Sequence, residues 1–280
     1  MLWTSGHFTR SEPRRVTLGP VPLPSQKPAE KTSIVTGRPT LQTNARAAAL
    51  PPTVTRRSLQ RLMTHVSDLP EALIERLWSD ADGALGAAAM LKDGDRCTVT
   101  RVEQSAEPYT LKRYNLKSTL HTAIHLPLRS RARWSWLNGR KLVKACLPTP
   151  MPLACIEERR HGLLHLRSYL LTQFVPGRSL LDLVQSGETK GERLADLARQ
   201  FTRIWQTLGQ LRAGHGDMKA TNFIVDPQSK LWLIDLDGLR IHHSAVLLRR
   251  ERRNDLARFM QNWQEKPEVA AVFRARIGTG

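Results

Sequence analysis

Two acidic segments separated by a short hairpin pattern place the strongest constraint on this chain. The first segment, HGDMKATNFIVD, runs from His215 to Asp226, and the second, LWLIDLDG, runs from Leu231 to Gly238. The apolar runs FIV and LWLI predict two short strands, and the residues DPQSK between them predict a turn. The second strand then returns the acids that follow it to the loop that precedes the first strand. The fold must therefore bring two sets of polar side chains to one cleft.

The polar residues of these segments are the types that phosphoryl transfer uses. The loop D-x-K-x-x-N contains Asp217, Lys219 and Asn222, and the second segment ends in Asp235 and Asp237. In phosphoryl transfer a carboxylate orients the attacking hydroxyl, an ammonium contacts the moving phosphoryl group, and oxygen ligands bind Mg²⁺. A capped surface turn and a solvated strand end would explain either segment alone. Their order and spacing together favour the phosphoryl-transfer interpretation.

The charge balance indicates anionic partners and does not choose among them. The 43 Lys and Arg residues against 25 Asp and Glu residues give a net charge of +18. Such an excess attracts nucleic acid, anionic lipid headgroups or a phosphorylated substrate, and a solvated basic surface is the alternative. The chain has no apolar run of about 18 residues and no secretory h-region. Its three cysteines form no CxxC motif, so we expect a cytoplasmic location.

Composition and periodicity predict a tail followed by an ordered region that begins near Leu62. Residues 1–61 hold eight of the 17 prolines and show no helical or strand period, which predicts a flexible basic tail. The segment DLPEALIERLW predicts a short helix with Asp68 as its N-cap. The segments CTVTRVE and EPYTLKRYN predict antiparallel strands. Apolar residues at helical spacing from Leu194 to Leu211 predict a long helix.

The two acidic segments resemble known kinase motifs. They are similar to the catalytic loop H-x-D-x-K-x-x-N and to the metal-binding strand end D-x-D or D-F-G of the protein-kinase-like superfamily. Together with LKRYN and LPTPMPLA, they resemble the bacterial lipopolysaccharide kinases, the Kdo and heptose kinases of the inner core. The resemblance covers Lys92 to Phe259. It implies an α+β, bilobal fold with a five-stranded antiparallel N-lobe sheet in residues 62–173 and a short, mainly helical C-lobe in residues 174–280.

The resemblance also implies roles for the residues of the two segments. Asp217 matches the catalytic base, and Lys219 matches the lysine that contacts the phosphate. Asn222 and Asp235 match the two Mg²⁺ ligands. Asp237 has no fixed counterpart, and it is either a further metal ligand or a residue of the loop.

Residues outside these segments match the nucleotide-binding and supporting positions. Lys112 in YTLKRYN matches the nucleotide-anchoring lysine of the third strand. Backbone groups of the hinge would bind adenine, and the matching residues are Gln173, Phe174 and Val175. His215 matches the residue that buttresses the catalytic loop. Asp255, on a predicted helix, matches an acid that accepts backbone N–H bonds from that loop, although an exposed helix acid would look the same.

The chain departs from the family pattern around Lys112. No G-x-G-x-x-G motif precedes this lysine, and GALGAA predicts a small-residue helix or linker. Residues 109–156 contain no Asp or Glu, so the helix that should supply a glutamate partner for Lys112 has none. Asn138, Glu157 or Glu158 could take its place. Without such a partner, the chain would be a slow enzyme or a pseudokinase scaffold.

The acid-free stretch is rich in arginine and includes Trp134 and Trp136. This composition suits an anionic membrane surface or an anionic glycolipid, while a core helix with solvated arginines is the alternative. It also suits stacking on nucleic acid, but no RNA-binding motif accompanies it. Two His pairs at i,i+4 spacing, His121/His125 and His161/His165, lack a third ligand and give little support to a metal site.

The sequence therefore predicts a kinase that uses ATP and Mg²⁺. Its acceptor would be a hydroxyl of a lipopolysaccharide inner-core sugar, Kdo or heptose, reached from the cytoplasm or from a peripheral position at the inner membrane. A protein or small-molecule kinase of the same fold, a pseudokinase scaffold, and a nucleic-acid binder acting through the basic tail remain the alternatives.

Overall fold

The N-terminal half of the ordered region is a single antiparallel sheet. The computed structural model describes residues 49–86, 89–94, 97–104, 107–115, 130–160 and 164–277. The sheet has seven strands in the order β1-β2-β6-β7-β5-β4-β3. These strands are β1 (Thr53–Arg57), β2 (Arg61–Val66), β3 (Ala89–Lys92), β4 (Cys97–Gln104), β5 (Glu107–Tyr114), β6 (Pro152–Arg160) and β7 (Leu164–Gln173). The α+β kinase-like fold is confirmed, whereas the expectation of five strands is wrong.

One of the additional strands lies in the segment that was expected to be a flexible tail. Residues Thr53–Arg57 pair with β2, and Thr53 lies opposite Val66. The ordered region therefore begins before Leu62, and the expected boundary at residue 61 is too late. The prolines that suggested disorder include Pro51 and Pro52, which immediately precede β1. Proline is tolerated at a strand start, so these two residues did not argue against a strand here.

Helix α1 (Glu71–Ser79) begins later than expected. Pro70 occupies its N-cap position with φ −55° and ψ 130°, and no side chain caps the helix. The predicted capping role of Asp68 is therefore wrong. A residue that precedes proline is disfavoured in the α region, so Leu69 cannot extend the helix back to Asp68. The small-residue segment forms helix α2 (Ala81–Gly86).

Helix α3 (Arg131–Lys144) is the predicted basic helix, and it packs on the sheet. Ser130 is its N-cap, and the Ser130 hydroxyl accepts a hydrogen bond from the Arg133 amide at 3.1 Å. Trp136 is fully buried, whereas the side chain of Trp134 is exposed. The two tryptophans therefore divide between the core and the surface, so neither alternative for this segment holds for both of them.

The C-terminal half is mainly helical and encloses an aromatic core. Its helices are α4 (Leu180–Gln185), α5 (Gly191–Gln210), α6 (Ala245–Gln261) and α7 (Pro267–Ile277). Its strands are β8 (Arg178–Ser179), β9 (Ala213–Gly214), β10 (Phe223–Val225), β11 (Leu231–Leu233) and β12 (Arg240–Ile241). The predicted long helix is confirmed as α5, whose apolar stripe is buried. Phe201 on that stripe stacks on Phe259 of α6 at a centroid distance of 4.1 Å, which fixes α6 against α5.

No helix in the described ranges is long and apolar enough to cross a lipid bilayer.

Candidate active site

The β10–β11 hairpin brings the two acidic segments together as the sequence predicted. The strands pair antiparallel, with Phe223 opposite Leu233. Just beyond this pair, the Ile234 amide donates to the Asn222 carbonyl at 2.9 Å. Asn222 and Asp235 are therefore neighbours at one end of the hairpin. Short strands with strictly apolar inward residues leave little freedom in register, because a slip of one residue would expose the apolar side chains.

A cavity of about 660 Å³ lies where the sheet meets the C-terminal half. Its lining includes Lys112 from β5 and both Asn222 and Asp235 from the hairpin. The three predicted hinge residues also line it, namely Gln173, Phe174 and Val175. Apolar side chains such as Val99 and Ile224 form further parts of the wall. The structure thus places residues from three distant parts of the chain around one space.

The loop that carries Asp217 is held by a buried carboxylate of α6. Asp255 accepts hydrogen bonds from the His215 amide at 2.7 Å and from the Gly216 amide at 3.0 Å. The predicted role of Asp255 is confirmed by these two bonds. The buried His215 ring also lies 3.3 Å from the Ile234 carbonyl, so it links the loop to the end of β11. This contact supports the buttressing role that the resemblance implied.

Gly216 is required by the path of this loop. Its φ of +79° lies in the left-handed region, where residues with a Cβ are strained. A Cβ at this position would also lie 2.7 Å from the carbonyl oxygen of Gly238. The two acidic segments therefore approach each other through their backbones as well as through side chains.

Lys112 is held by two carboxylates of the second acidic segment. Its Nζ lies 2.5 Å from Asp235 Oδ1 and 3.0 Å from Asp237 Oδ1. The other oxygen of Asp237 accepts a hydrogen bond from Arg131 at 2.5 Å, at the start of α3. The helix that should have offered a glutamate thus offers an arginine, and Asp237 lies between the two cations. Tyr114 lies beneath both, with Lys112 Nζ 4.9 Å and Arg131 Cζ 4.8 Å from the ring centroid.

The three residues predicted to replace the helix glutamate are engaged elsewhere. The Asn138 side-chain amide donates to the carbonyls of Leu236 and Leu239, at 3.3 and 2.9 Å. It therefore fixes the turn that contains Asp237 and does not hold Lys112 itself. Glu158 pairs with Arg61 at 2.8 Å, and Glu157 lies 3.5 Å from Arg159. Both glutamates are on β6, which β7 separates from the strand of Lys112.

The pKa values of Lys112, Asp235 and Asp237 are shifted in different directions by burial and by their neighbours. Burial opposes the charge on Lys112, but the adjacent carboxylates outweigh burial and hold the pKa of Lys112 above its ordinary value. Burial also raises the pKa of Asp235, and the neighbouring Asp237 carboxylate adds to the rise. Burial would likewise raise the pKa of Asp237, yet its bonds with Asp235, Lys112 and Arg131 bring that pKa below the ordinary value. Asp237 is therefore the carboxylate that stays ionised to the lower pH, and Asp235 is the one that would gain most from an added cation.

Asp217 is capped by a cation on each of its oxygens. Lys219 Nζ lies 2.8 Å from Oδ2, and Arg258 Nη1 lies 2.6 Å from Oδ1. Partial burial favours the neutral acid, but these two cations prevail and lower the pKa of Asp217. The Asn222 amide also donates to the Asp217 carbonyl at 2.8 Å. Asp217 and Lys219 are thus tied to the loop that ends at the cavity.

Sequence reasoning missed two of these cations, Arg131 and Arg258. A signal existed for Arg258, because it follows Asp255 by three residues and lies on the same side of α6. Once Asp255 was assigned to the loop, a cation near that loop could have been expected. Arg131 gave no such signal, since it is one of many arginines in an acid-free segment.

A metal would need ligands beyond the protein's own His, Cys and acidic side chains. In the part of the chain that the structure describes, no group of three or more such residues could hold one. Asp235 and Asn222 supply one carboxylate and one amide oxygen, which are hard ligands of the kind Mg²⁺ prefers. The pair His121/His125 and residue His161 lie outside the described residues, as does the side chain of His165.

Comparison with known proteins agrees with this geometry. The family model for the lipopolysaccharide kinase (Kdo/WaaP) family matches residues 92–272. The chain belongs to this family. As a member of it, the protein is an ATP-dependent kinase.

Two relatives carry the same printed name, 3-deoxy-D-manno-octulosonic acid kinase. The protein from Xylella fastidiosa is 25% identical over 196 residues, which cover 66% of this chain and 74% of the relative. The protein from Vibrio cholerae is 29% identical over 110 residues, which cover 39% of this chain and 44% of the relative.

The charge cluster predicts a pH-dependent loss of stability in the variant Asp237→Asn. The substitution removes the negative charge that pairs with both Lys112 and Arg131. We therefore expect the free energy of unfolding at pH 7 to fall by about 1–3 kcal/mol. Because the folded-state pKa of Asp237 is depressed, its contribution is present above about pH 4 and disappears as the pH falls further. Urea denaturation of both proteins between pH 3 and pH 7 measures the difference.

The matched control is Asp196→Asn, which removes a half-exposed carboxylate that pairs with Arg199 on the surface of α5. This change should alter the free energy of unfolding by less than about 0.5–1 kcal/mol. An Asp237→Asn effect no larger than the control's, or one that grows as the pH falls, would contradict the assignment.

Proposed function

We propose that this kinase transfers the γ-phosphoryl group of Mg-ATP to a hydroxyl of an acidic inner-core sugar of lipopolysaccharide. The observation that carries the proposal is the convergence of Lys112, Asn222 and Asp235 with the hinge residues on one cavity, beside the loop of Asp217. The relatives' name, which specifies an octulosonic acid, supports the acid over heptose as acceptor. A protein or small molecule as acceptor has no comparable support.

The cavity suits a nucleotide. Its apolar wall offers a surface for the adenine ring, and the backbone from Gln173 to Val175 offers hydrogen-bonding groups at its edge. Lys112 would contact the phosphates from the opposite side. Asp235 and Asn222 would hold Mg²⁺, which supplies neutralisation of the charge that develops on the phosphoryl oxygens. The raised pKa of Asp235 fits this role, since a bound cation favours its ionised form.

Asp237 has a different role in this proposal. Both of its oxygens are engaged by cations, Lys112 on one and Arg131 on the other. We assign it to the orientation of Lys112, which in other kinases depends on a helix glutamate. The alternative predicted from the sequence, a third metal ligand, would require Asp237 to exchange one of these partners. With Asp237 in this role, the absence of a helix acid no longer argues for a pseudokinase.

Asp217 would orient the acceptor hydroxyl and accept its proton as the oxygen attacks phosphorus. Lys219 would contact the phosphoryl group as it passes to the acceptor. Its ammonium is half-exposed, and Lys219 directly precedes the short turn Ala220–Asn222. Both roles are positional, since phosphoryl transfer depends on alignment and charge stabilisation more than on covalent help from the protein.

Two alanine variants should separate binding from transfer. We expect Asp217→Ala to lower phosphate transfer by about 10²–10⁴-fold, as the loss of a general base does, while Mg-ATP still raises the thermal unfolding temperature. Asp235→Ala should abolish both the transfer and the shift caused by Mg-ATP. Labelled ATP with a panel of lipid A–Kdo acceptors measures transfer, and a thermal shift measures binding.

Asp196→Ala, on the surface of α5 and outside the lining of the cavity, is the control and should behave like the parent protein. Unchanged turnover in Asp217→Ala would remove it as the base. Nucleotide binding by the parent protein without transfer to any acceptor, and without ATP hydrolysis, would favour a pseudokinase scaffold.

We further propose that the protein docks on an anionic membrane through the start of α6. The sequence pointed to the segment around Trp134 and Trp136, but the burial of Trp136 leaves that segment with little apolar surface to insert. By contrast, Ile241, Val246 and Leu247 are exposed. They lie in one segment of the chain, residues 240–250, with exposed arginines, and no Asp or Glu occurs between Gly238 and Glu251.

We call this stretch the α6 surface, and its residues are Arg240, Ile241, Val246, Leu247, Arg249 and Arg250. Apolar side chains among arginines at a helix start suit insertion at the level of lipid headgroups. Ile241 also borders a groove with Lys141 and Lys144 of α3, which extends the basic region. Arg258, which contacts Asp217, lies twelve residues further along the same helix, about 18 Å from Val246 at 1.5 Å per residue.

Vesicle binding tests this surface. We expect the protein to sediment with vesicles that contain phosphatidylglycerol, less so as salt rises, and poorly with pure phosphatidylcholine. Val246→Asp/Leu247→Asp should reduce the vesicle-bound fraction by about tenfold or more, because it places charge in the inserted layer. Val54→Asp/Leu59→Asp changes two exposed apolar residues at β1 and should leave binding intact. Equal binding by both double variants would rule out the α6 surface.

A further inference from the structure

The proposed base is weakened by the two cations that the structure places beside it. Arg258 and Lys219 occupy one carboxylate oxygen each, and the Arg258 guanidinium also lies 3.4 Å from the Gly216 carbonyl. An acceptor hydroxyl must approach an oxygen of Asp217 to about 2.6–3.2 Å. The remaining lone pairs of Asp217 can accept such a hydroxyl, but each cation stabilises the ionised carboxylate and makes it a weaker base. The departure of one cation would therefore strengthen the base.

A half-exposed cation can leave a carboxylate for water at little cost, and a second anion that takes the place of the carboxylate makes the exchange more favourable. For Lys219 the replacement is available in the nucleotide, because its proposed partner is the phosphoryl group. Arg258 approaches from α6, outside the hairpin that carries the metal-binding residues. An anion that replaces Asp217 on Arg258 would therefore come from the acceptor, because the acceptor hydroxyl has to approach Asp217.

We propose that Arg258 binds a carboxylate of the acceptor, and that this exchange frees Asp217 to act. The inference rests on the proposed function and specifies its acceptor, a sugar with a carboxylate near the reacting hydroxyl. Planar guanidinium groups bind carboxylates through two parallel hydrogen bonds, which gives the acceptor a defined orientation. Arg258 thus selects an acidic acceptor and prepares the base in one step.

The surroundings of Arg258 suit such an exchange. Its side chain is 48% exposed, and that of Lys219 is 46% exposed. Neither cation therefore has to leave a buried site when it changes partner. The backbone of α6 is fixed, since Asp255 binds the catalytic loop and the buried Phe259 packs in the core. Only the side chain of Arg258 needs to change its conformation, because the backbone of α6 stays in place.

The chemical step remains balanced. The acceptor oxygen forms a bond to the γ-phosphorus as the bond from that phosphorus to the ADP oxygen breaks, and the hydroxyl proton passes to Asp217. Arg258 stays charged and takes no part in the bond changes, since it only exchanges one carboxylate partner for another. It is a specificity and positioning residue.

The test compares 3-deoxy-D-manno-octulosonic acid with its carboxamide, which has the same hydroxyls and no negative charge. Calorimetry without ATP measures binding, and labelled ATP measures transfer. We expect the parent protein to bind the acid more tightly than the amide by about ten- to hundredfold, as hydrogen bonds to charged groups do. Arg258→Gln should lose that preference by binding the acid as weakly as the amide, and Arg258→Lys should retain part of it.

A pH profile adds a readout that a purely structural role would not move. Arg258 lowers the pKa of Asp217 in the free enzyme, so Arg258→Gln should raise that pKa. The acidic limb of kcat/KM, which reports the free enzyme, should then shift to higher pH. Arg274→Gln, an exposed arginine of α7, is the control and should change neither the preference nor the profile.

The outcomes separate this inference from the proposed function. If the parent protein prefers the acid in calorimetry and Arg258→Gln does not, the inference stands even where the assay shows no transfer, a result that would count against the kinase reaction alone. If the parent protein transfers phosphate to acid and amide alike, or if Arg258→Gln keeps the preference, the inference is overturned while the kinase function remains.

Discussion

The pairing of the largely buried Lys112 ammonium, whose side chain is 13% exposed, with Asp235 and Asp237 is the interaction on which the rest of the site depends. A buried charge is costly unless it is paired and hydrogen-bonded, and Lys112 lies on β5 of the sheet while both its partners follow β11. The pairing therefore fixes the sheet against the C-terminal half at the cavity. Removing one carboxylate would leave the cation partly uncompensated, so the lysine, Asp235 and Asp237 form one unit.

The same unit explains how the chain manages without an acid on α3. In other kinases the helix glutamate makes the position of the lysine depend on the position of the helix. Here the dependence survives with the charges reversed, because Arg131 of α3 binds Asp237, and Asp237 binds Lys112. Asn138, about two helical turns after Arg131 on α3, donates hydrogen bonds to the carbonyls of Leu236 and Leu239, on either side of Asp237. Helix α3 thus acts on the lysine through Asp237, and a shift of the helix would disturb the lysine as it does elsewhere.

Much of this could be predicted from the sequence because local patterns determined it. The FIV and LWLI strands are short and apolar, and their one good register places Asn222 beside Asp235. The role of Asp255 was predictable only from the resemblance to the kinase family, because in the sequence alone it looks like any exposed acid on a helix. The β1 strand was not predictable, because its stability comes from pairing with β2 and its own composition is polar and exposed. Neither was the Asp237–Arg131 pair, because a long-range contact between two charged residues leaves no periodic signal.

The position of Arg258 shows what the loop geometry adds to the motif. Asp255 and Arg258 lie three residues apart on α6, so the carboxylate that supports the loop and the cation that caps its base share one rigid helix. Support and capping therefore cannot be adjusted independently, since any movement of α6 changes both. A side-chain exchange at Arg258 avoids that constraint, because it alters the charge next to Asp217 while the two bonds from Asp255 stay in place. In the proposed mechanism, the acceptor can therefore change the ion pair at Asp217 without disturbing the loop that carries it.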